Sequence, residues 1–160
     1  MPYDSHSASS PEPEFPLARV AGALRVLAAE DNVTNQWVLQ ALLETVDIEP
    51  CIVDNGAALL AMWSQQPWDL ILTDIEMPVM DGTEAVRRIR AAEAAAGRPR
   101  TPIIAVTANV LASQLAEYKQ AGIDSAIAKP IDLATLLASM EAALAADRHE
   151  SRAQSRRGAA

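Results

Sequence analysis

The chain alternates five times between a short apolar run and a longer stretch with helical spacing, and this alternation limits the folds open to it. The apolar runs have the length of buried strands, and the stretches between them repeat apolar residues at three- and four-residue steps. The runs are residues 24–28, 49–53, 70–73, 103–106 and 125–128. The helical stretches are residues 34–45, 57–65, 83–95, 113–121 and 133–145. The pattern predicts an α/β fold, a doubly wound five-stranded parallel sheet covered by helices on both faces.

One folded domain, residues 23–146, holds this pattern. Residues 1–22 are rich in Ser, Pro and Glu, a composition that predicts a disordered arm or linker. Residues 147–160 carry four arginines among small polar residues and predict a disordered basic tail. Too little chain follows the last helix for a DNA-binding output domain.

Polar residues follow four of the five predicted strands, at the edge of the sheet where ligands bind in doubly wound folds. Glu30 and Asp31 follow the first strand, Asp74 the third, Thr107 the fourth and Lys129 the fifth. These four strands are neighbours in this topology. We therefore expect three carboxylates, a hydroxyl and an ammonium group to converge on one cleft.

Carboxylates crowded in this way repel one another unless a cation joins them, and oxygen ligands suit Mg²⁺, with Mn²⁺ as a second candidate. Asp74 ends the central strand and is the natural nucleophile for phosphoryl transfer. Lys129 supplies a positive charge and Thr107 a hydroxyl donor for the transferred group. Each residue alone is usually a cap or a surface residue, and only their joint placement after four strands indicates a functional site.

Charge and hydropathy exclude several other classes of protein. The formal net charge of −8 argues against a nucleic-acid partner, because phosphate contacts need clustered Lys and Arg. No segment approaches the roughly 18 consecutive apolar residues of a membrane span, and the N-terminus has no secretory pattern. We therefore expect a cytoplasmic location.

Four stretches of the chain resemble the receiver domains of response regulators in two-component signalling. They are residues 27–32 (LAAEDN), 69–82 (DLILTDIEMPVMDG), 103–109 (IIAVTAN) and 122–130, which end in Lys129-Pro130. The resemblance implies a flavodoxin-like (βα)5 fold with strand order 2-1-3-4-5. The start of the motif is most similar to receivers of hybrid sensor histidine kinases. A histidine kinase or a histidine phosphotransfer domain is then the expected partner in a phosphorelay.

The resemblance also implies roles for the residues at the strand ends. Glu30 and Asp31 would bind Mg²⁺ together with Asp74 and the backbone carbonyl of Glu76. Asp74 would accept the phosphoryl group from a phosphohistidine, and two further residues would contact that group: Thr107 and Lys129. The Lys129–Pro130 bond is expected to be cis.

Two features concern how a phosphorylated receiver behaves. Ala126 stands where receivers usually carry Tyr or Phe, so the inward swing of an aromatic ring that accompanies their activation is not available. Glu76 and Asn109 lie two residues after Asp74 and Thr107, at positions that influence hydrolysis of the acyl phosphate in this family.

The first helix carries the candidate partner surface. Its core face is expected from Val38, Ala41, Leu42 and Thr45, which recur at helical spacing. Asn35, Gln36 and Trp37 then lie beside the acidic pair, where receivers meet their histidine-containing partners, and Trp37 is a candidate hot spot.

Two other functions compete with a phosphoaccepting switch that is not a turnover enzyme. An aspartyl-phosphate phosphatase of the haloacid-dehalogenase type also uses Asp, Mg²⁺, Thr and Lys. It needs a second Asp two residues after its nucleophile, where this chain has Glu76. A pseudo-receiver, which binds partners without being phosphorylated, is the other alternative, and Ala126 is the feature that favours it.

Overall fold

The computed structural model describes residues 24–108 and 110–158. Ten elements alternate strictly between strand and helix. The strands are β1 (Val26–Ala29), β2 (Cys51–Val53), β3 (Leu70–Thr73), β4 (Ile103–Thr107) and β5 (Ser125–Ala128). The helices are α1 (Val33–Glu44), α2 (Gly56–Gln65), α3 (Gly82–Ala96), α4 (Ala112–Ala121) and α5 (Leu133–Gly158). The predicted arm, residues 1–22, and Asn109 lie outside the described residues.

All five strands pair in parallel in one sheet of order β2-β1-β3-β4-β5, which confirms the predicted fold. The three central strands are buried along their whole length because helices cover both faces. Alternate strand residues face opposite layers: Val26 and Ala28 pack with α1 and α5, while Leu27 and Ala29 pack with α2, α3 and α4.

Side-chain caps fix where three helices begin after the strand-end loops. The side chains of Asn32, Asn55 and Asp81 each accept a hydrogen bond from the backbone N–H three residues on. Two helices end at Gly97 and Gly122, whose φ angles of 63° and 106° favour glycine. Along the chain, the caps therefore start α1 directly after Glu30 and Asp31, and α3 directly after the loop that follows β3.

Helix α1 is rotated relative to the prediction. Its buried residues are Leu39 and Leu43, whereas Val38 is 44% exposed and Thr45 lies at the surface. Of the predicted core face, Leu42 does pack, partly buried, against the core. The run Trp37-Val38-Leu39 offers two neighbouring apolar stripes, and packing on the sheet selects the one that includes Leu39. The rotation leaves Trp37 71% exposed.

Helix α5 is longer than the predicted stretch 133–145 and includes residues 147–158, which were predicted to be a disordered tail. No Gly or Pro interrupts the chain between Leu133 and Arg157, and Ala, Arg, Gln and Glu are good helix formers. Residues 148–158 are exposed on all sides. Among the described residues, no helix has the length and apolar character needed to cross a membrane.

Candidate functional site

The carboxyl ends of β1 and β3 bring the acidic residues together. Ala29 of β1 pairs with Thr73 of β3, so Glu30 and Asp74 leave the sheet side by side. The Glu30 N–H donates to the Val53 carbonyl and the Asp74 N–H donates to the Ala29 carbonyl, both at 2.9 Å. The backbone ladder therefore fixes both residues at the point where the strands end.

Glu30, Asp31 and Asp74 form the acidic cluster that the sequence analysis expects. One carboxylate oxygen from each lies within 4.8 Å of the others, close enough to ligate one cation. Glu30 and Asp74 are only 4% and 8% exposed, whereas Asp31 is open to solvent. Two buried carboxylates with one exposed neighbour make a site that a small ion can enter from solvent.

Lys129 lies between the two buried carboxylates. Its ammonium Nζ donates to Glu30 Oε2 at 2.6 Å and to Asp74 Oδ2 at 2.8 Å. Its backbone N–H donates to the Thr107 carbonyl at 3.0 Å, and the Lys129–Pro130 peptide is cis. The fifth strand thus delivers its cation to the same cleft, across 99 residues from Glu30.

The pKa of the Lys129 ammonium reflects two opposing effects. Burial lowers it, but hydrogen bonds and charge from Asp74 and Glu30 outweigh the burial, so the pKa lies above its usual value of 10.5. The lysine is therefore fully protonated at neutral pH. It neutralises part of the negative charge that crowds the cleft.

The loop after Asp74 is shaped by a close backbone approach. A Cβ on Gly82 would lie 2.0 Å from the Asp74 carbonyl oxygen, so no other residue fits there. The Gly82 N–H donates to the Ile75 carbonyl at 2.8 Å, and the Ile75 N–H donates to Asp74 Oδ1 at 2.7 Å. This packing explains the Asp81-Gly82 pair that follows Asp74 in the sequence.

The remaining predicted site residues lie around the same edge. Thr107 ends β4 and is 3% exposed, while Glu76 is exposed in the loop after Asp74. Ala126 on β5 pairs in register with Ala105 on β4, so two methyl groups lie together on the face covered by α4.

The three predicted partner residues on α1 differ in their surroundings. Trp37 is exposed, and Val33 and Val38 beside it are 57% and 44% exposed. Asn35 is half-buried, and its N–H donates to the cap, Asn32. Gln36 is turned toward the cleft, where its side-chain amide donates to the Glu30 carbonyl at 2.6 Å.

Two contacts were not predicted from the sequence: that of Gln36, and the bond from the Asn32 N–H to Glu30 Oε1 at 3.1 Å. The sequence contained the information needed to predict the Gln36 contact. Asn32 caps the helix, and helical side chains lean toward the N-terminus, so Gln36 in the first turn reaches back to the end of β1. The bond to the Asn32 N–H depends on a backbone turn that the sequence does not specify.

Comparison with known proteins identifies the family to which this fold belongs. Residues 26–141 match the family model of the response regulator receiver domain. The chain belongs to this family. Among its relatives is the sensor histidine kinase GacS of Pseudomonas protegens, 38% identical over 120 residues, 75% of this chain and 13% of that protein. The receiver therefore spans about an eighth of that relative's length.

Two solved structures similar to this receiver contain a metal ion in one case and a partner protein in the other. The receiver domain of the sensor histidine kinase PA1611 of Pseudomonas aeruginosa holds a magnesium ion in its active-site cleft. It aligns with a TM-score of 0.69 and 35% identity over 76% of this chain and 98% of that chain. The co-crystal of Saccharomyces cerevisiae Ypd1, a histidine phosphotransfer protein, with the Ssk1 receiver aligns with a TM-score of 0.67 and 30% identity over 71% and 83%.

The donor set of the receiver itself fits Mg²⁺. The ion prefers oxygen ligands, usually one or two carboxylates with the remaining positions left to water and phosphate oxygens. Glu30, Asp31 and Asp74 supply such oxygens within 4.8 Å of one another. The acidic cluster is thus consistent with a magnesium site.

Proposed function

We propose that this receiver accepts a phosphoryl group on Asp74 from a phosphohistidine, in a Mg²⁺-dependent step of a phosphorelay. The observation that carries the proposal is the contact of Lys129 with both buried carboxylates of the acidic cluster. A lone acidic cluster is common on protein surfaces. Here the buried carboxylates of Glu30 and Asp74 share the ammonium group of Lys129. Such a cluster is suited to gain and lose the negative charge of a phosphoryl group.

In the proposed site, Mg²⁺ would be held by Asp31, Asp74, the Glu76 carbonyl and, through water, Glu30. When bound, it would offset negative charge on the incoming phosphoryl oxygens. Glu30 has a second role, because its carboxylate also holds the Lys129 ammonium in the cleft. Mn²⁺ has the same preference for oxygen ligands and could replace Mg²⁺.

The transfer uses groups that the chain already positions. An Asp74 carboxylate oxygen attacks the phosphorus of the phosphohistidine, the P–N bond breaks, and the imidazole keeps the electron pair and takes up a proton. The product is an acyl phosphate on Asp74. Lys129 Nζ, now 2.8 Å from Asp74 Oδ2, is placed to contact the new phosphoryl oxygens, and the Thr107 hydroxyl is the second donor.

The proposal treats the domain as a switch rather than a turnover enzyme, with slow loss of the phosphoryl group to water. Glu76 and Asn109 are the residues proposed to set that rate. Because Ala126 offers no ring to reorient, the signal would not be carried by the movement of an aromatic side chain at this position. The proposal also places the domain in the cytoplasm, as part of a hybrid histidine kinase or as its partner.

The proposed docking surface is the start of α1, beside the acidic cleft. Val33, Trp37 and Val38 expose an apolar patch there, and Trp37 is the anchor type that dominates binding energy in many interfaces. The Ypd1–Ssk1 complex supports a phosphotransfer domain as the partner. Trp37→Ala should slow transfer from a phosphorylated phosphotransfer domain about tenfold and leave labelling by acetyl phosphate unchanged. Leu115→Ala, on exposed α4, is the control.

Labelling with acetyl phosphate tests the phosphoacceptor directly. The wild type should incorporate acid-labile phosphate only with Mg²⁺, and Asp74→Asn should incorporate none. Asp54→Asn, a matched change at the exposed end of β2, should label like the wild type. Equal labelling of Asp74→Asn would refute the site. No labelling of the wild type would favour the pseudo-receiver, and sustained hydrolysis of small phosphate esters would favour the phosphatase.

A further inference from the structure

We propose that Gln36 is a positioning residue for the magnesium site, acting through the backbone between Glu30 and Asp31. Its side-chain amide Nε2 donates to the Glu30 carbonyl oxygen at 2.6 Å, from half-buried surroundings. This inference rests on the proposed function, because it concerns how the proposed metal ligands are held. It assigns Gln36 a task different from the partner contact expected from the sequence.

The Glu30 carbonyl belongs to the peptide plane that joins the two acidic residues. Regular pairing of β1 ends at Ala29, which matches Val53 on one side and Thr73 on the other. Beyond that point the sheet no longer fixes the plane. A rotation of this one peptide changes ψ of Glu30 and φ of Asp31, and so changes the separation of their carboxylates.

The Glu30 side chain is held independently of that plane. Its carboxylate accepts from Lys129 Nζ at 2.6 Å and from the Asn32 N–H at 3.1 Å. The Lys129 ammonium donates to Glu30 and Asp74, so it does not hold the exposed Asp31 side chain in place. The orientation of Asp31 toward the cluster therefore depends on the backbone, which the Gln36 bond restrains.

Gln36 is itself placed firmly. Its backbone N–H donates to the Asn32 carbonyl at 2.9 Å in the first turn of α1, and the Asn32 side chain caps that turn. The next residue, Trp37, is 71% exposed on the proposed docking surface. One helical turn thus presents a partner contact outward and a restraint on the metal ligands inward. A shift of α1 when a partner docks would move Gln36 and, through its bond to the Glu30 carbonyl, Asp31.

The test compares Gln36→Met with Gln40→Met, because methionine keeps the length of glutamine and removes its donor. Gln40 is one turn further along α1, and its amide contacts the exposed Glu44 at 2.8 Å. A single hydrogen bond of ordinary strength corresponds to roughly a three- to tenfold change in a binding constant. Gln36→Met should therefore raise the Mg²⁺ dissociation constant roughly three- to tenfold, measured by NMR titration, and Gln40→Met should leave it within twofold.

Two further readouts separate positioning from a loss of folding. In metal-free protein, the Asp31 amide resonance should broaden or shift in Gln36→Met and not in Gln40→Met. Acetyl phosphate labelling of Gln36→Met should recover to the wild-type extent at saturating Mg²⁺. A Gln36→Met protein with wild-type Mg²⁺ affinity would overturn the inference, and so would weakened labelling that saturating Mg²⁺ does not restore. A wild type that does not bind Mg²⁺ would instead overturn the proposed function.

Discussion

Replacing Lys129 with methionine tests how the cleft tolerates its negative charge. The ammonium contacts Glu30 and Asp74 at 2.6 and 2.8 Å, and the three side chains are 18%, 5% and 10% exposed. At an effective dielectric constant of about 20, each contact is worth roughly 6 kcal/mol before desolvation is subtracted. Removing one partner of a buried pair costs about 3–5 kcal/mol, because the other charge stays buried without compensation.

We therefore expect metal-free Lys129→Met to lose about 3 kcal/mol of unfolding free energy, the lower end of that range, because the lysine is partly exposed. Mg²⁺ should reduce this difference from the wild type, because each tenfold by which the variant binds the ion more tightly adds about 1.4 kcal/mol of stabilisation at saturation. The variant should also respond to Mg²⁺ more strongly than the wild type, because the ion no longer competes with the ammonium.

Urea unfolding monitored by circular dichroism, with EDTA and with saturating Mg²⁺, measures both effects. Lys119→Met on α4 is the control for the substitution, because Lys119 is exposed. A metal-free loss below about 1 kcal/mol would refute the reasoning, since a surface ion pair is worth no more than that. An equal loss with and without Mg²⁺ would also contradict it.

Three other predictions concern single residues. Asp31→Asn should stabilise the metal-free protein slightly in urea, by less than about 1 kcal/mol because Asp31 is exposed, and should abolish its response to Mg²⁺. Val79 has a φ of 70° and is 85% exposed, so Val79→Gly relieves roughly 1–2 kcal/mol of strain against about 0.5–1 kcal/mol of glycine entropy. A net gain in unfolding free energy is expected, and a loss would contradict the strain. Hydrogen bonds from Thr135 at the start of α5 lower the pKa of Asp132 below its usual 3.8. Its contribution to stability is therefore present above about pH 3.8 and lost as the pH falls through the lowered pKa. The stability gap between wild type and Asp132→Ala should close in that range, and a gap that persists below it would exclude the cap.

The alternation of strands and helices and the position of the cleft follow from short-range features of the sequence, whereas the strand order was implied by the resemblance to receiver domains. Four of the five buried runs are followed by a polar residue of the cleft, and parallel strands put all such residues at one edge. The sequence alone therefore predicted that the side chains of Glu30, Asp74 and Lys129 lie close together. Their individual hydrogen-bond partners within the cleft were not predictable, because these depend on side-chain rotamers.

Features set by distant packing were not predictable in the same way. The guanidinium of Arg90 on α3 donates to the Gly122 carbonyl and to Asp124, both more than 30 residues away, and no short-range pattern in the sequence indicates these contacts. The rotation of α1 toward Leu39 was decided by the sheet beneath it, because the helix offers two apolar stripes. The continuation of α5 to Gly158 was missed because composition suggested disorder where helix propensity prevails.

The central claim is that Asp74 receives the phosphoryl group between the magnesium ligands and Lys129. A crystal structure grown with Mg²⁺ and beryllofluoride, a mimic of the phosphoryl group, tests it most directly. The account predicts beryllofluoride bonded to an Asp74 carboxylate oxygen, with Lys129 Nζ and the Thr107 hydroxyl within hydrogen-bonding distance of its fluorines and Mg²⁺ beside Asp31. Beryllofluoride on another side chain, or Mg²⁺ bound away from Asp31 and Asp74, would contradict the account.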